Sequence, residues 1–314
     1  MKQKLFLSLF LICVMIINSF AQSKFNHHNL FVDLDIAASQ IDITDTITLS
    51  KQEADTFYLN PNLNIYESSC EVTKIESGKN YTKYKLISSD KTNKVVLKYS
   101  GIIANNKEGI EHITHQTMFE STTGIIFEKG IYLSGETYWV ADFTNANLKT
   151  FSIHVNIHKD WMLTSQGKII AEQQTDSIKS YIFDMTQPTN QVCLIGNKWT
   201  KYTKTIDHVD INVYLINPDE TLAEKYLNAT SDYIRLYYNL IGEFPYSKFD
   251  VIENFWETGY GMPSFTLLGK RVMRFPWILN TSYPHELLHN YWGNSVYVDY
   301  EKGKNITPWL MNKR

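Results

Sequence analysis

The spacing of apolar residues changes once along the chain, near Asn217, and that change sets the architecture. Before it, apolar and polar residues alternate: Ile41, Ile43, Ile47 and Leu49 in QIDITDTITLS, Phe151, Ile153, Val155 and Ile157 in FSIHVNIH, and Val209, Ile211, Val213 and Leu215 in VDINVYLIN. A period of two turns one face of a strand to a core and the other to water, the pattern of half-buried antiparallel sheets. Turn-forming runs (NPN, ESGKN, SSDKTN, NNKEG) punctuate it. After it, NPDETLAEKYLNATSDYIRLYYNLIG places Leu222, Tyr226, Tyr233, Tyr237 and Ile241 on one helical stripe. Asn217 is the predicted cap, Pro218 the first helical residue and Gly242 the stop. The tyrosines read as core. The sequence thus predicts a multidomain α+β protein: a β-rich N-terminal domain over 22–205 and a second domain over 206–314.

With 314 residues, 43% hydrophobic and 20% charged, the chain is long enough for two domains with their own cores and too apolar for a disordered protein. A net charge of -3 gives no bulk basic surface, which excludes nucleic acid as an expected partner. The opening MKQKLFLSLFLICVMIINSFAQ joins Lys2 and Lys4 to an apolar run and the small residues Ser19 and Ala21. This is the pattern of a cleaved secretory signal, residues 1–21, and the run falls short of the roughly 20 apolar residues a spanning helix needs. The expectation is a secreted or periplasmic protein with no membrane span after cleavage. Cys13 leaves with the signal; Cys70 and Cys193 then form one disulfide or stay as free buried thiols.

Chemistry concentrates in PHELLHNYWGN, Pro284 to Asn294. On a helix His285 and His289 share one face and can offer ring nitrogens to one ion at about 2.0–2.1 Å. Glu286 lies about 100° round the helix, off the ligand face but within reach of a water on the metal. These residues predict a Zn2+ site with His285 and His289 as ligands and Glu286 as general base in peptide hydrolysis. Thr281 or Ser282 can cap the helix, Pro284 suits its first turn and Gly293 can end it. His154 and His158 have the same spacing in an alternating strand, where four residues span about 13 Å, so they cannot share an ion. His27, His28, His112 and His115 read as surface residues.

HELLHNYWGNSV resembles the signature of the M1 family of zinc aminopeptidases, in which H-E-x-x-H precedes an aromatic pair and Gly-Asn, here Tyr291, Trp292, Gly293 and Asn294. GYGMPSFTLLG looks like the family's G-x-M-E-N strand, and GIYLSGETYWVADF, LKYSG and LIGEFPYSKFDVIE resemble its N-terminal β-domain and the junction that follows. The resemblance implies an antiparallel β-sandwich or saddle domain followed by the first part of a thermolysin-like α/β catalytic domain, a zinc cofactor and peptide substrates held at Gly261, Met262 and Pro263. Two departures stand out. Tyr260, Pro263 and Ser264 replace the first glycine, the amine-binding glutamate and the asparagine, so Glu253 and Glu257 become candidates for gripping a substrate amine. The family's third zinc ligand would fall at Pro308, nineteen residues past His289, and only Asp299, Glu301 and the terminal carboxylate of Arg314 offer acids beyond the helix. The chain therefore reads as a C-terminally truncated M1-like metallopeptidase, active if a third ligand is supplied, with bare apolar surface beside the histidine helix. The alternatives are a catalytically inactive M1-like binding or scaffold protein and a β-rich carbohydrate-binding or adhesion module. Oligomeric state is left open.

Overall fold

The computed structural model describes residues 25–50, 55–87, 93–111, 121–144 and 148–297. The predicted signal, His112, His115, Asp299, Glu301, Pro308 and Arg314 lie outside them.

Four sheets carry the described chain. The largest has seven strands in the order Lys168–Gln174, Ile178–Thr189, Lys149–His158, Asn26–Asp35, Gln40–Thr48, Lys94–Ile102 and Leu63–Ser68. Two four-stranded sheets accompany it. One orders Asp142–Phe143, Thr56–Leu59, Thr82–Ile87 and Glu71–Ser77; the other orders Met162–Ser165, Leu194–Asn197, Gly130–Leu133 and Gly124–Phe127. The architecture is mostly β, as alternation predicts. In these three sheets one pairing departs from the antiparallel expectation: Asn26–Asp35 runs parallel to Lys149–His158. Alternation tells which face of a strand is buried and carries no information on its direction, so this pairing of distant segments was not readable.

Parity along these strands decides what is inside. Leu30 and Val32 point into the core from Asn26–Asp35, as do Ile41, Ile43 and Ile47 from Gln40–Thr48. His28 shares the parity of Leu30, and Asp45 that of Ile43, so both are drawn into the interior. Each is 0% exposed, and His28 Nδ1 lies 2.9 Å from Asp45 Oδ2, with the Tyr99 hydroxyl reaching the same oxygen at 3.5 Å. A buried carboxylate is tolerated only when its lone pairs find donors, and the imidazole and phenol supply them. This corrects the surface reading of His28. His154 and His158 do sit on a strand, His154 stacked on Phe31 with ring centroids 4.5 Å apart. Cys70 and Cys193 are both free thiols, and burial pushes the Cys193 thiol up to about 12.

The fourth sheet positions the candidate site. Its order is Thr200–Ile206, Val209–Leu215, Lys248–Asn254, Phe265–Gly269 and Gly259–Met262. The three central strands run parallel, and the long helix Glu220–Leu240 makes the crossover between the first two of them. Ala223, Tyr226, Leu227 and Ile234 of that helix are buried, and Tyr233 and Tyr237 pack at the margin of the core. The cap is Asp219, whose carboxylate accepts the Leu222 N–H at 3.0 Å, and Ile241 is exposed rather than buried. Asn217 and Asp219 are both good caps; the helix begins two residues later than predicted because Asp219 reaches its third N–H. A buried network ties this sheet to the third one. Asp250 accepts from Thr164 at 2.6 Å, Asn212 at 2.8 Å and Lys248 at 2.5 Å.

Candidate metal centre

The histidine helix spans Ser282–Leu288, seven residues, and its hydrogen-bonded turns continue to Gly293. Pro284 stands in the first turn, where its missing N–H costs nothing. Thr281 is the N-cap residue, but its hydroxyl donates to the Trp277 carbonyl at 3.0 Å instead of capping. Gly293 takes φ +100, and the Asn294 N–H closes onto the His289 carbonyl at 3.1 Å. That left-handed turn ends the segment as the sequence predicts. Tyr283 and Leu287 are buried and hold the helix on the long helix and the fourth sheet.

The two imidazoles converge. His285 Nε2 and His289 Nε2 are 3.1 Å apart, with ring centroids 4.5 Å apart and planes at 77°. Two nitrogens at about 2.0–2.1 Å from one tetrahedral zinc would be roughly 3.3 Å apart, so the pair fits two ligand positions with a shift of a few tenths of an ångström. His289 Nδ1 faces the Trp292 carbonyl at 3.4 Å. Donation of that N–H leaves the Nε2 lone pair facing His285, the tautomer a metal ligand needs.

Glu286 lies against the edge hairpin formed by Gly259–Met262 and Phe265–Gly269, at the same glycine that the His289 ring approaches. Its carboxylate accepts the Gly261 N–H, and burial pushes it above the ordinary glutamate value of 4.5, with His289, His285 and that N–H opposing the rise. The strand fits the carboxylate only because residue 261 has no side chain. A Cβ there would lie 2.6 Å from Glu286 Oε2 and 3.2 Å from both the Glu286 carbonyl oxygen and His289 Cδ2. Met262 and Pro263 are buried at the end of the strand, and Gln191 Nε2 donates to Met262 Sδ at 3.3 Å. Of the three predicted substrate residues, Gly261 lies directly against Glu286.

The other candidate acids are committed elsewhere. Glu253 is fully buried, one oxygen taking Arg274 Nη1 at 2.8 Å and the other the Ile216 N–H at 2.7 Å. Glu257 accepts the N–H groups of Arg271 at 3.0 Å and Val272 at 3.3 Å. Both hold the fold around the site. Among the described residues no group of three or more His, Cys, Asp or Glu side chains could hold a metal, so the imidazole pair has no third ligand there.

Asn290 was not singled out by sequence reasoning. It is 0% exposed; its oxygen accepts the Ser264 N–H at 2.7 Å and its amide donates to the Leu287 carbonyl at 3.0 Å. Ser264 takes the left-handed conformation, φ +66, in the two-residue turn of the edge hairpin, so Asn290 fastens that turn to the histidine helix. The signal was present: Tyr283, Leu287 and Asn290 follow the inward stripe, and a polar residue on such a stripe needs a buried partner. Asn290→Ala strands the Ser264 N–H and is expected to cost about 1–3 kcal/mol, read from urea unfolding.

Exposed apolar side chains flank this region. Leu236, Tyr238 and Leu240 on the long helix and Trp292 and Val296 after the histidine helix are exposed among the described residues.

No family model and no curated protein sequence matches the chain. Solved structures do. The chain is similar to an M1 zinc metallopeptidase from Deinococcus radiodurans, with TM-score 0.63 and 13% identity over 87% of this chain and 65% of that one. A mutant of the Deinococcus enzyme bound to a Tyr-Ser-Ala substrate gives 0.61 and 12% over 85% and 64%. Yeast LTA4 hydrolase gives 0.62 and 13% over 85% of this chain and 44% of its own length. At such identities the likeness establishes a shared fold. The chain spans less than two thirds of each of these structures.

Proposed function

We propose that the chain is a zinc-dependent metallopeptidase of the M1 aminopeptidase type, hydrolysing peptides with a water that Glu286 deprotonates. The observation that carries this reading is the convergence of His285 and His289 Nε2 at 3.1 Å beside the half-buried Glu286 carboxylate. Zinc, when bound, supplies Lewis acidity that lowers a water's pKa towards about 7 and polarises a carbonyl. Glu286, raised by burial, then takes the water's proton and returns it to the leaving amine. Gly259–Met262 is the outer strand of its sheet among the described residues, so the part of its edge that Glu286 does not occupy can receive an extended peptide by strand addition. The likeness to the metallopeptidases supports a thermolysin-like role for residues 206–314 behind a β-domain of residues 22–205. Export follows from the signal pattern of residues 1–21. A third ligand has to come from outside the described residues.

With Pro263 in place of an acid, and Glu253 and Glu257 engaged, no carboxylate among these is free to grip a substrate amine. The expected preference is therefore weaker for free amino termini than an aminopeptidase shows. The measurement is hydrolysis of aminoacyl-coumarin amides against internally quenched, N-acetylated peptides, with and without phenanthroline. Chelator-insensitive hydrolysis would exclude the zinc reading. Gly261→Ala should keep zinc yet lower kcat on the order of 10²-fold, because the added methyl displaces Glu286.

A second reading, an inactive M1-like binding or scaffold protein, starts from the absence of a group of three ligands among the described residues. A chain that takes up no zinc from equimolar zinc sulfate and cleaves neither substrate set would establish it.

A further inference from the structure

The first turns of the long helix and the segment 273–279 enclose a cleft of about 270 Å³. Leu222, Tyr226, Met273 and Ile278 give it apolar walls, and three charged side chains, Asp219, Lys225 and Arg274, line it as well. Neither the zinc reading nor the sequence motifs account for it.

The charged groups are arranged with unused capacity. Arg274 is fixed at one nitrogen: Nη1 donates to the buried Glu253 at 2.8 Å and to the Lys270 carbonyl at 2.6 Å. Its Nη2 and Nε have no partner among the described residues, so a pre-oriented guanidinium edge is left over. Lys225 has neither an ion pair nor a hydrogen bond among the described residues. Asp219 spends Oδ1 on the Leu222 N–H at 3.0 Å and keeps Oδ2 unbonded there. Arg274 is paired with the buried Glu253, while Asp219 and Lys225 line the cleft as a carboxylate and an ammonium that make no ion pair with each other among the described residues. A zwitterion carries a charge of opposite sign for each.

We propose that this cleft binds a free amino acid with an apolar side chain. The ligand's carboxylate meets Lys225 and the free edge of Arg274, its ammonium meets Asp219, and its side chain lies on Leu222, Tyr226, Met273 and Ile278. Charge-assisted bonds at both ends fix the orientation, and the apolar walls select the side chain. A volume of about 270 Å³ suits the side chain and head group of one amino acid. The proposal is independent of zinc.

Calorimetric titration of the full chain with L-phenylalanine, in EDTA, tests it. The expected result is saturable binding at one site, with phenylpropionate and phenethylamine, which lack the ammonium and the carboxylate respectively, each weaker by about ten-fold or more. Lys225→Met should weaken L-phenylalanine by about ten-fold. Asp219→Asn should do the same while keeping the helix cap, since asparagine caps as well as aspartate. Arg274→Lys keeps a cation beside Glu253 and should weaken binding by loss of the guanidinium edge. Absence of saturable binding, equal affinity for phenylpropionate, or indifference to both Lys225→Met and Asp219→Asn overturns the proposal. So does binding that appears only when EDTA is replaced by zinc, which would put the amino acid at the histidine pair.

Discussion

His285→Ala and His289→Ala are each expected to remove zinc from a chain that otherwise holds about one ion, as measured by metal analysis after gel filtration. The argument rests on the 3.1 Å separation of the two Nε2 atoms. A single imidazole offers one bond to a metal that water can replace; two on adjacent turns act as a chelate, because ordering the helix has already ordered both. The metal-free alternative is a hydrogen bond in which one ring donates its Nε2–H to the other. That pair is partly exposed, and a neutral hydrogen bond there contributes about 1 kcal/mol. Zinc binding contributes more: a ligand at 100 times its Kd stabilises the folded chain by about 2.7 kcal/mol. Zinc should therefore raise the melting temperature of the parent chain and leave both variants unmoved. A parent chain with no zinc-dependent shift, or a variant that keeps the shift, would remove the metal from the account.

The parts of this site that repeat at helical spacing were readable, and those made by distant segments were not. His285, Glu286 and His289 owe their mutual placement to one helical turn, so the sequence determined it locally. The contact of Glu286 with Gly261 depends on an edge hairpin meeting that helix, and the bond from Ser264 to Asn290 depends on the turn of the same hairpin. In the β-rich part, alternation identified the inward faces at Ile41, Ile43, Phe151 and Ile153, and applying the same parity to His28 and Asp45 would have exposed the buried pair. Their polarity obscured it. The parallel pairing of Asn26–Asp35 with Lys149–His158 joins segments more than a hundred residues apart, and no local pattern encodes that choice. The roles considered for Glu253 and Glu257 failed for the same reason. Arg274, Ile216 and the 271–272 backbone consume their oxygens, and those partners come from other elements.

Glu286→Gln separates the chemistry of this carboxylate from its structural role. The amide can still accept the Gly261 N–H through its oxygen, and it fills the same space, so the edge hairpin keeps its contact. It cannot take a proton, and the expected loss in kcat is about 10²–10⁴-fold with zinc content unchanged. Stability should move the other way. Burial raises the Glu286 pKa in the folded state, so the folded chain holds this proton more tightly than the unfolded one. The resulting stabilisation is fully present below the ordinary value of 4.5 and is lost as pH rises through the folded-state value. At neutral pH the half-buried carboxylate is thus a net cost, which a neutral glutamine avoids. In the zinc-free chain, Glu286→Gln is expected to unfold at higher urea concentration than the parent at pH 7, the difference shrinking as pH falls through the folded-state value and gone below 4.5. A variant that is less stable at pH 7 would mean that His285, His289 and Gly261 together favour the charged form more than burial opposes it. Activity retained by that variant would remove Glu286 as the base.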